Sequence, residues 1–576
     1  MRRLAWLMLN RLVARLPLQL RVLCRQFLLR VIDLEALSIH ADVTGYLGQF
    51  AGIAIMLSAV HSLVAWAYLS PMKPDERLGY AWHFEQYLIA TMMLATGLFA
   101  VVNWEAAFPD RRDIMILSPL PIRPRTILIA KLATSGAILG MMVLALNVFC
   151  GVAWPFAVGM TEGSWQGFFR AFGAYWFTMA ATTVFLFCSV LTAQGLAVLV
   201  LPRRISMWGS ALLQLVCFGA FFGTYFLQGT ITSPAAMAAP QNRLLLEASP
   251  SFWFFALFNQ MNGTLPPSMS WLARRAWIGL GVSMVGTVAS LLLCYLHTMR
   301  RTVEQPDLLP GVRRARHAMR LGSGLQTAVL QFTLRTLARS RQHRIILAFY
   351  LSIAFAMALG MARKAIAAGA QRPVSSEFLI LTSIIMIFAV MGFANVFSLP
   401  ISLTANWVLR ITQIRPTRLY ISATANTLLL LSVLPAWLIS AALGLTYTPR
   451  IQVLAHLTML ALFGFILAEA SRIGFHRMPF TCSLLPGNTN LQFVFWKTIA
   501  GIALMSVFVG TCEMPALRSQ RLFSLLICGM IALAAGLWAF NGHQARSAVL
   551  YYEELPEVVI TTLGLVIAPK SVDETE

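Results

Sequence analysis

The sequence predicts an all-α, polytopic membrane protein with about twelve transmembrane helices arranged as two parallel six-helix repeats. Hydrophobic residues make up 58% of the 576 positions and charged residues 11%, whereas soluble proteins have about 45–50% and about 25%. Apolar runs of about 20 residues, the length that crosses a bilayer, recur along the chain. One proline-containing motif also recurs, with Pro124 and Pro416 lying 292 residues apart.

Composition and charge exclude several classes of protein. No polar stretch is long enough to bury a core of its own, which excludes a soluble enzyme. The net charge is +22, from 44 Lys and Arg against 22 Asp and Glu. In a soluble chain that excess would indicate nucleic-acid binding. Here it is typical of basic loops held on the inner side of a membrane beside anionic lipids, so lipids rather than nucleic acid are the expected partners.

The apolar runs divide the chain into an N-terminal segment, two halves, a linker and a tail. The predicted spans lie near 47–69, 86–104, 126–157, 168–201, 205–228, 273–297, 343–363, 377–399, 420–445, 450–471, 494–511 and 519–540. Residues 1–46 form an amphipathic interfacial segment, since Leu16, Leu20, Leu23 and Phe27 recur at helical spacing. The halves cover 47–297 and 343–540. Residues 298–342 form a basic cytoplasmic linker with an interfacial helix, and 541–576 a cytoplasmic tail.

The distribution of basic residues predicts the orientation. With the N-terminus inside, Lys and Arg concentrate in the inside loops, as the positive-inside rule requires. We therefore expect a bacterial-type inner membrane protein with both termini in the cytoplasm. The longest outside stretch, 230–272, contains SPSFWFFALFNQMNG. This run predicts either an interfacial or re-entrant helix or an ordinary aromatic belt.

The repeat rests on a few polar positions in one register. Ile-Arg-Pro occurs at 122–124 and again at 414–416, and Asn103 meets Asn395 at the same offset. Each half has an even number of predicted spans, so the two halves would point the same way across the membrane.

The sequence contains none of the common motifs for chemistry. It has no GxxxxGK[ST] phosphate loop, no HExxH and no GxSxG. Its eight cysteines form no CxxC pair. We therefore expect no catalytic residue, cofactor or metal site in this chain, and we expect His61 to be a packed polar side chain.

Four polar residues within or beside the spans are candidates for an intramembrane role. Asn103 and Asn395 can hydrogen-bond between helices. Lys131 lies one turn into the third span and can extend to the cytoplasmic surface. Glu469 is either a proton or substrate site or, with Arg472 three residues on, half of a local ion pair.

The polar stretch from Trp104 to Lys131 is the strongest candidate for an interaction site. Its mixed charges and three prolines do not fit hydrocarbon, so it predicts a turn at the membrane surface that docks a partner protein. The alternative is a solvated inside loop. The docking candidates, including their counterparts in the second half, are Asp110, Arg111, Arg112, Asp113, Pro119, Arg123, Pro124, Arg415, Pro416 and Arg418.

The order of residues in this stretch resembles the cytoplasmic turn between the second and third spans of the type-two ABC exporter permeases. The matching positions are the acid–arginine pair Asp110-Arg111, the apolar step Met115–Leu117, Ser118-Pro119 and Ala130-Lys131. The resemblance implies a permease that forms the translocation path, an amphipathic helix before the first span, and a short helix at this turn. That helix would couple to a separate ATPase subunit on which ATP is bound.

The second half departs from this pattern. Asp113 falls opposite Ala405, and no acid–arginine pair precedes Arg415, so the first copy is the stronger docking candidate. Two alternatives stay open: a gradient-driven secondary transporter, for which Glu469 is the candidate site, and a non-transporting membrane scaffold. The sequence also leaves a homo-oligomer open.

Overall fold

A computed structural model describes most of the chain, and the statements below refer to that part. The described residues are 17–31, 43–69, 74–103, 117, 120–159, 165–200, 203–228, 236–237, 239–304, 322–367, 372–401, 411, 417–445, 447–473, 479–481, 501–505 and 507–547. The predicted C-terminal tail lies outside these ranges beyond residue 547.

The chain is an all-α multi-pass membrane protein, as predicted. Within the described ranges, ten helices are long and apolar enough to cross a membrane: Gly48–Tyr68, Gly79–Val102, Arg125–Asn147, Trp165–Ala197, Pro267–Cys294, Gln342–Gly360, Ser376–Phe397, Thr417–Gly444, Arg450–Ala470 and Gln520–Arg546. Two shorter apolar helices, Leu212–Phe226 and Gly501–Ala516, lie at the predicted fifth and eleventh spans. The number twelve stays a prediction.

The helices of the first half follow the predicted order. They are α1 (Leu18–Val31), α2 (Val43–Leu69), α3 (Pro74–Val102), α4 (Pro124–Asn147), α5 (Cys150–Gly159), α6 (Trp165–Val200), α7 (Arg203–Gln228), α8 (Arg243–Ala248), α9 (Pro250–Asn262) and α10 (Ser270–Glu304). Helix α10 runs past the predicted boundary at 297 into the linker.

The second half contains helices and one pair of very short strands. The helices are α11 (Gly324–Arg339), α12 (Arg341–Ala367), α13 (Ser376–Phe397), α14 (Thr417–Leu428), α15 (Leu434–Gly444), α16 (Arg450–Ala470), α17 (Met514–Ala516) and α18 (Gln520–Ser547). Strands β1 (Arg372–Pro373) and β2 (Tyr447–Thr448) pair in parallel.

The predicted third span is broken rather than continuous. Helix α4 ends at Asn147, and a turn at 148–149 leads into the ten-residue helix α5. The break leaves backbone N–H groups without helical partners. The hydroxyl of Ser58 on α2 accepts hydrogen bonds from two of them, those of Phe149 (3.1 Å) and Cys150 (3.2 Å). A side chain from another helix therefore stabilises the break.

Two π-helical segments occur in the second half, and each lies just before a proline. Leu429–Val433 precedes Pro435, and Val509–Glu513 precedes Pro515. Proline has no N–H and its ring clashes with the carbonyl four residues earlier, so a widened turn relieves the conflict within a continuing helix. The first segment joins α14 to α15, and the second leads into α17.

The aromatic run of the predicted outside stretch forms the short helix α9. It packs against α3, α6 and α10. Phe252, Phe254, Phe255 and Phe258 are each at most 1% exposed. An aromatic belt would leave such rings at the surface, so the belt interpretation is wrong and the run is a buried helix. The helix ends at Asn262. Gly263, which follows it, has a φ of 75°, a left-handed backbone conformation that favours glycine.

The two halves meet where α7 packs against α12. Phe349 of α12 makes edge-to-face contacts with Phe218 and Phe222 of α7, at centroid distances of 6.3 and 5.6 Å. Ile345 and Ile353 belong to the same two clusters. We call this contact the α7–α12 seam.

Candidate functional site

The amphipathic helix α1 lies directly on the start of α4. Leu23 and Phe27 are buried against Ile127 and Ala130. The hydroxyl of Thr134 donates to the Ala130 carbonyl of its own helix at 2.8 Å and lies 3.4 Å from the carbonyl oxygen of Cys24. The apolar face predicted from the spacing of Leu20, Leu23 and Phe27 is therefore covered by the third span.

The C-terminal part of the polar stretch belongs to the same contact. Leu117 and Ile122 pack against the cluster formed by α1 and α4. Arg123 is the N-cap residue of α4, and Pro124 is the first helical residue, where a missing N–H costs nothing. The described residues of the turn are thus packed against both helices.

The docking candidates are only partly within the described residues. Arg123 and Arg418 have exposed side chains, at the starts of α4 and α14. Seven candidates lie outside the described residues: Asp110, Arg111, Arg112, Asp113, Pro119, Arg415 and Pro416. The exposed Arg125 is on the described surface beside Arg123, although it is not among the docking candidates predicted from the sequence.

Lys131 does not reach the surface as predicted. The residue is only 5% exposed. Its Nζ atom lies 5.3 Å from the centroid of the Phe27 ring, within the range of a cation–π contact. Helix α1 therefore covers the lysine, and the charge contributes to holding α1 on α4.

We expect the packing of α1 on α4 to slow the reaction of Cys24 with thiol reagents. Cys24 is half-buried. Burial raises the pKa of its thiol, and a side-chain hydrogen bond with Thr134 offsets only part of this effect. Because the thiolate is the reactive form, maleimide labelling of a single-cysteine variant should be slow near neutral pH. Phe27→Ala should accelerate it several-fold by loosening α1 from α4.

The matched control is Val22→Cys in a background lacking Cys24. Val22 lies on the same helix and is 52% exposed, so a thiol at this position should label rapidly with or without Phe27→Ala. Labelling is measured by mass shift over time. Equal labelling rates for Cys24 and for the thiol introduced by Val22→Cys would contradict the packing of α1.

The two asparagines of the predicted repeat make different contacts. Asn395 on α13 donates to the hydroxyl of Tyr350 on α12 at 2.7 Å, as expected for a bond between helices. Asn103 donates to the carbonyl of Phe99 in its own helix at 3.2 Å. The expected interhelical role therefore has a described contact only at Asn395.

Glu469 forms a buried network at the end of α16. Its Oε1 accepts from Arg472 Nη1 at 2.6 Å. Its Oε2 accepts from Asn541 Nδ2, on α18, at 2.7 Å. The side chains of Glu469 and Arg472 are 3% and 15% exposed. This is the predicted local ion pair, with an added link to the last helix.

A second buried carboxylate, Glu85 on α3, was missed by the sequence analysis. Its Oε1 accepts from Asn259 Nδ2 on α9 at 3.2 Å, and Asn259 Oδ1 accepts from the Thr264 hydroxyl at 2.7 Å. The predicted span began at 86, just after this residue. The aromatic Trp82 and Phe84 before Glu85, together with the apolar run that starts at Tyr87, were the available signal.

The third buried carboxylate, Glu513, was missed for the same reason. It ends the π-helical segment, two residues beyond the predicted span 494–511. Its Oε1 lies 2.5 Å from Nδ1 of His456 on α16, and the other ring nitrogen lies 2.8 Å from the Thr382 hydroxyl on α13. Three helical segments meet at this cluster.

The remaining polar side chains act mainly as links between helices. His61 contacts the Leu57 carbonyl and the Tyr87 hydroxyl, in agreement with a packed polar role. Asn147 accepts from the Tyr175 hydroxyl at 2.7 Å. Within the described ranges, no three His, Cys, Asp or Glu side chains are close enough to hold a metal ion.

The described residues therefore contain two candidate functional sites. One is a surface turn attached to α1 and α4, and the other is a set of three buried carboxylates with neutral or basic partners. In comparisons with known proteins, no family model, no curated protein and no solved structure matched this chain.

Proposed function

We propose that this chain is the membrane permease subunit of an ABC-type exporter and that it couples to a separate ATPase chain, which carries the ATP. The observation that carries the proposal is the packing of α1 and the residues of the turn on the start of α4. A surface element joined in this way moves together with a membrane helix. A partner that displaces the turn would therefore displace the third span.

The proposed mechanism follows from the lack of an energy-coupling motif in the sequence. A transporter without a nucleotide site takes its energy from a gradient or from a partner. In the proposed cycle, ATP-driven closure of the partner pushes on the turn between the second and third spans. The halves then rock against each other and open a path between them.

Corresponding contacts in the two halves support two parallel repeats of six spans. As α1 packs on α4, so α11 packs on α14, with Val329 against Tyr420 and Ala423. In each half a buried carboxylate lies where a short helical segment precedes the last span. These contacts support a duplicated architecture in which each half places an interfacial helix on its third span.

The proposed setting is a bacterial-type inner membrane, with both termini in the cytoplasm and anionic lipids beside the basic loops. The charge distribution supports this orientation. Helix α1 also exposes Leu18 and Val22, which fits a helix lying in the interfacial plane. Its exposed Arg25 can contact lipid headgroups.

The docking proposal predicts a charge-dependent complex. Affinity purification of the full chain should recover an ATPase subunit. Reversal of two exposed charges by Arg123→Glu and Arg125→Glu should reduce its recovery at least several-fold, because the charges at the turn would repel the partner's complementary surface. Arg111→Ala with Arg112→Ala should have a similar effect.

The matched control is Arg274→Glu. Arg274 is also exposed, and in the proposed orientation it lies at the opposite end of the bundle. This variant should retain the partner. An unchanged complex after both pairs of substitutions, in protein that elutes as the wild type does, would overturn docking at this turn.

The buried carboxylates favour one alternative, a gradient-driven secondary transporter. Such a protein needs a titratable group within the membrane, and His456–Glu513 is a better candidate than the ion-paired Glu469. Transport into vesicles driven by a proton gradient without ATP would support this alternative over the ATPase-coupled one. Absence of transport under both conditions would favour a membrane scaffold.

A further inference from the structure

The buried cluster of His456, Glu513 and Thr382 can be hydrogen-bonded in more than one protonation state. His456 is fully buried, and Glu513 is 3% exposed. One ring nitrogen, Nδ1, lies 2.5 Å from Glu513 Oε1, and the other, Nε2, lies 2.8 Å from Thr382 Oγ1. Each short contact requires one hydrogen between the two atoms, so the number of protons on the cluster can be counted.

The hydroxyl of Thr382 decides the count because it has a single hydrogen. Thr382 Oγ1 lies 2.8 Å from the carbonyl oxygen of Phe378, as well as 2.8 Å from His456 Nε2. If the hydroxyl donates to the carbonyl, Nε2 must carry a hydrogen and donate to Thr382. If the hydroxyl donates to Nε2 instead, that nitrogen must be bare.

These choices give two states that differ by one proton. In the first, Nε2 carries a hydrogen and a second proton lies between Nδ1 and Oε1, so the cluster is neutral. In the second, Nδ1 donates to a Glu513 carboxylate and Nε2 accepts from Thr382, so the cluster has a charge of −1. Passing from the first to the second releases the Nε2 proton and turns the Thr382 hydroxyl, and no other bond changes.

Two other histidines, His343 on α12 and His61 on α2, have a carbonyl oxygen at one ring nitrogen. His343 Nε2 donates to the Leu399 carbonyl at 3.0 Å, and in the neutral ring its Nδ1 accepts from the Ser340 hydroxyl. His61 Nδ1 must donate to the Leu57 carbonyl at 2.7 Å. A carbonyl accepts only, so both rings are satisfied in one neutral form. His456 differs because it lies between a carboxyl group and a hydroxyl.

Within the described residues, no other charged side chain forms an ion pair with His456 or Glu513. The other titratable or charged side chains on α13, β2, α16, the segment around Glu513 and α18 are Glu377, Tyr447, Arg450, Glu469, Arg472, Cys512, Arg518, Arg521, Cys528, His543 and Arg546. Glu377, Arg450, Cys512 and Arg518 are exposed. Glu469 is thirteen residues from His456, or about 20 Å along the helix.

We propose that His456 and Glu513 form a binding site for one exchangeable proton, with the Thr382 hydroxyl as its switch. The site joins α13, α16 and the π-helical segment Val509–Glu513, so proton release places a negative charge where these three elements meet. It needs no ATPase partner, and it can serve either kind of transporter.

The test is ¹⁵N NMR of the full chain in lipid bilayers with ¹⁵N-labelled histidine. The wild-type His456 Nε2 signal should change from the position of a nitrogen that bears hydrogen to that of a bare nitrogen as pH is raised between about 5 and about 9, a window that includes physiological pH. The signals of His343 and His61 are internal controls, and they should indicate the same ring tautomer at every pH.

Glu513→Gln should abolish this change. A glutamine amide has no carboxyl proton to release, and it can satisfy Nδ1 either as a donor or as an acceptor, so the ring should keep one neutral tautomer as pH is raised. Glu85→Gln is the matched control, because it removes a buried carboxyl group in the other half and should leave the His456 titration intact.

Two results would overturn the proposal: a wild-type His456 Nε2 signal that does not change over this range, or a Glu513→Gln variant that titrates like the wild type. The first needs no variant, so the proposal can be tested even if Glu513→Gln fails to fold.

Discussion

Arg472→Met is expected to lower the free energy of unfolding by about 3–5 kcal/mol, the usual loss when one partner of a buried ion pair is removed. The Arg472 guanidinium lies 2.6 Å from Glu469 Oε1, and the two side chains are 15% and 3% exposed. Methionine retains much of the apolar stem but leaves the carboxylate with only the amide of Asn541 as a described partner. Thermal unfolding of the full chain in a single detergent measures the loss.

The chain provides an exposed pair as the control for Arg472→Met. Arg243 Nε lies 3.0 Å from Glu247 Oε1, and the Arg243 side chain is 73% exposed. Arg243→Met should therefore cost less than about 1 kcal/mol. Adding Glu469→Gln to Arg472→Met should recover part of the loss, because it removes the unpaired charge. Equal losses for the two arginine variants would contradict a buried network at the end of α16.

Gly167→Ala is expected to destabilise the protein by about 3 kcal/mol, the upper end of the usual range for overpacking. Helices α5 and α6 approach backbone to backbone at Gly159 and Gly167. A Cβ atom on Gly159 would lie 2.6 Å from the Gly167 carbonyl oxygen, and one on Gly167 would overlap that of Gly159. Backbone atoms of two packed helices cannot move aside as a flexible side chain can.

Gly173→Ala is the control for this contact. It lies on the same helix, and a Cβ atom there would meet nothing within 4 Å. Alanine has the higher helix propensity, so this variant should be neutral or more stable by up to about 1 kcal/mol. Equal unfolding temperatures for the two alanine variants would contradict the close backbone contact of α5 with α6.

The sequence predicted the fold class because a membrane imposes a simple rule on helix length and composition. It did not predict where helices break. The break after Asn147 depends on Ser58, a residue of another helix about 90 positions earlier. The π-helical segments depend on prolines whose effect inside a packed helix is not visible in hydropathy. Both features arise from tertiary contacts.

The buried carboxylates were missed for a related reason. A boundary drawn from hydropathy excludes a charged residue at the edge of an apolar run, which placed Glu85 and Glu513 in predicted loops. Their partners lie 174 and 57 residues away in the sequence. Glu469 was found because its partner Arg472 is one helical turn away. A sequence shows local pairs readily, whereas distant pairs become visible only once the helices are packed.

The α7–α12 seam has a consequence for how the two halves can move. Contacts across it include those of Phe218, Phe222, Phe349 and Ile353, which are apolar. Dispersion contacts have little directional preference, unlike hydrogen bonds. In the proposed transport cycle, sliding or rolling of one helix on the other would therefore exchange similar contacts between these residues without breaking a polar bond.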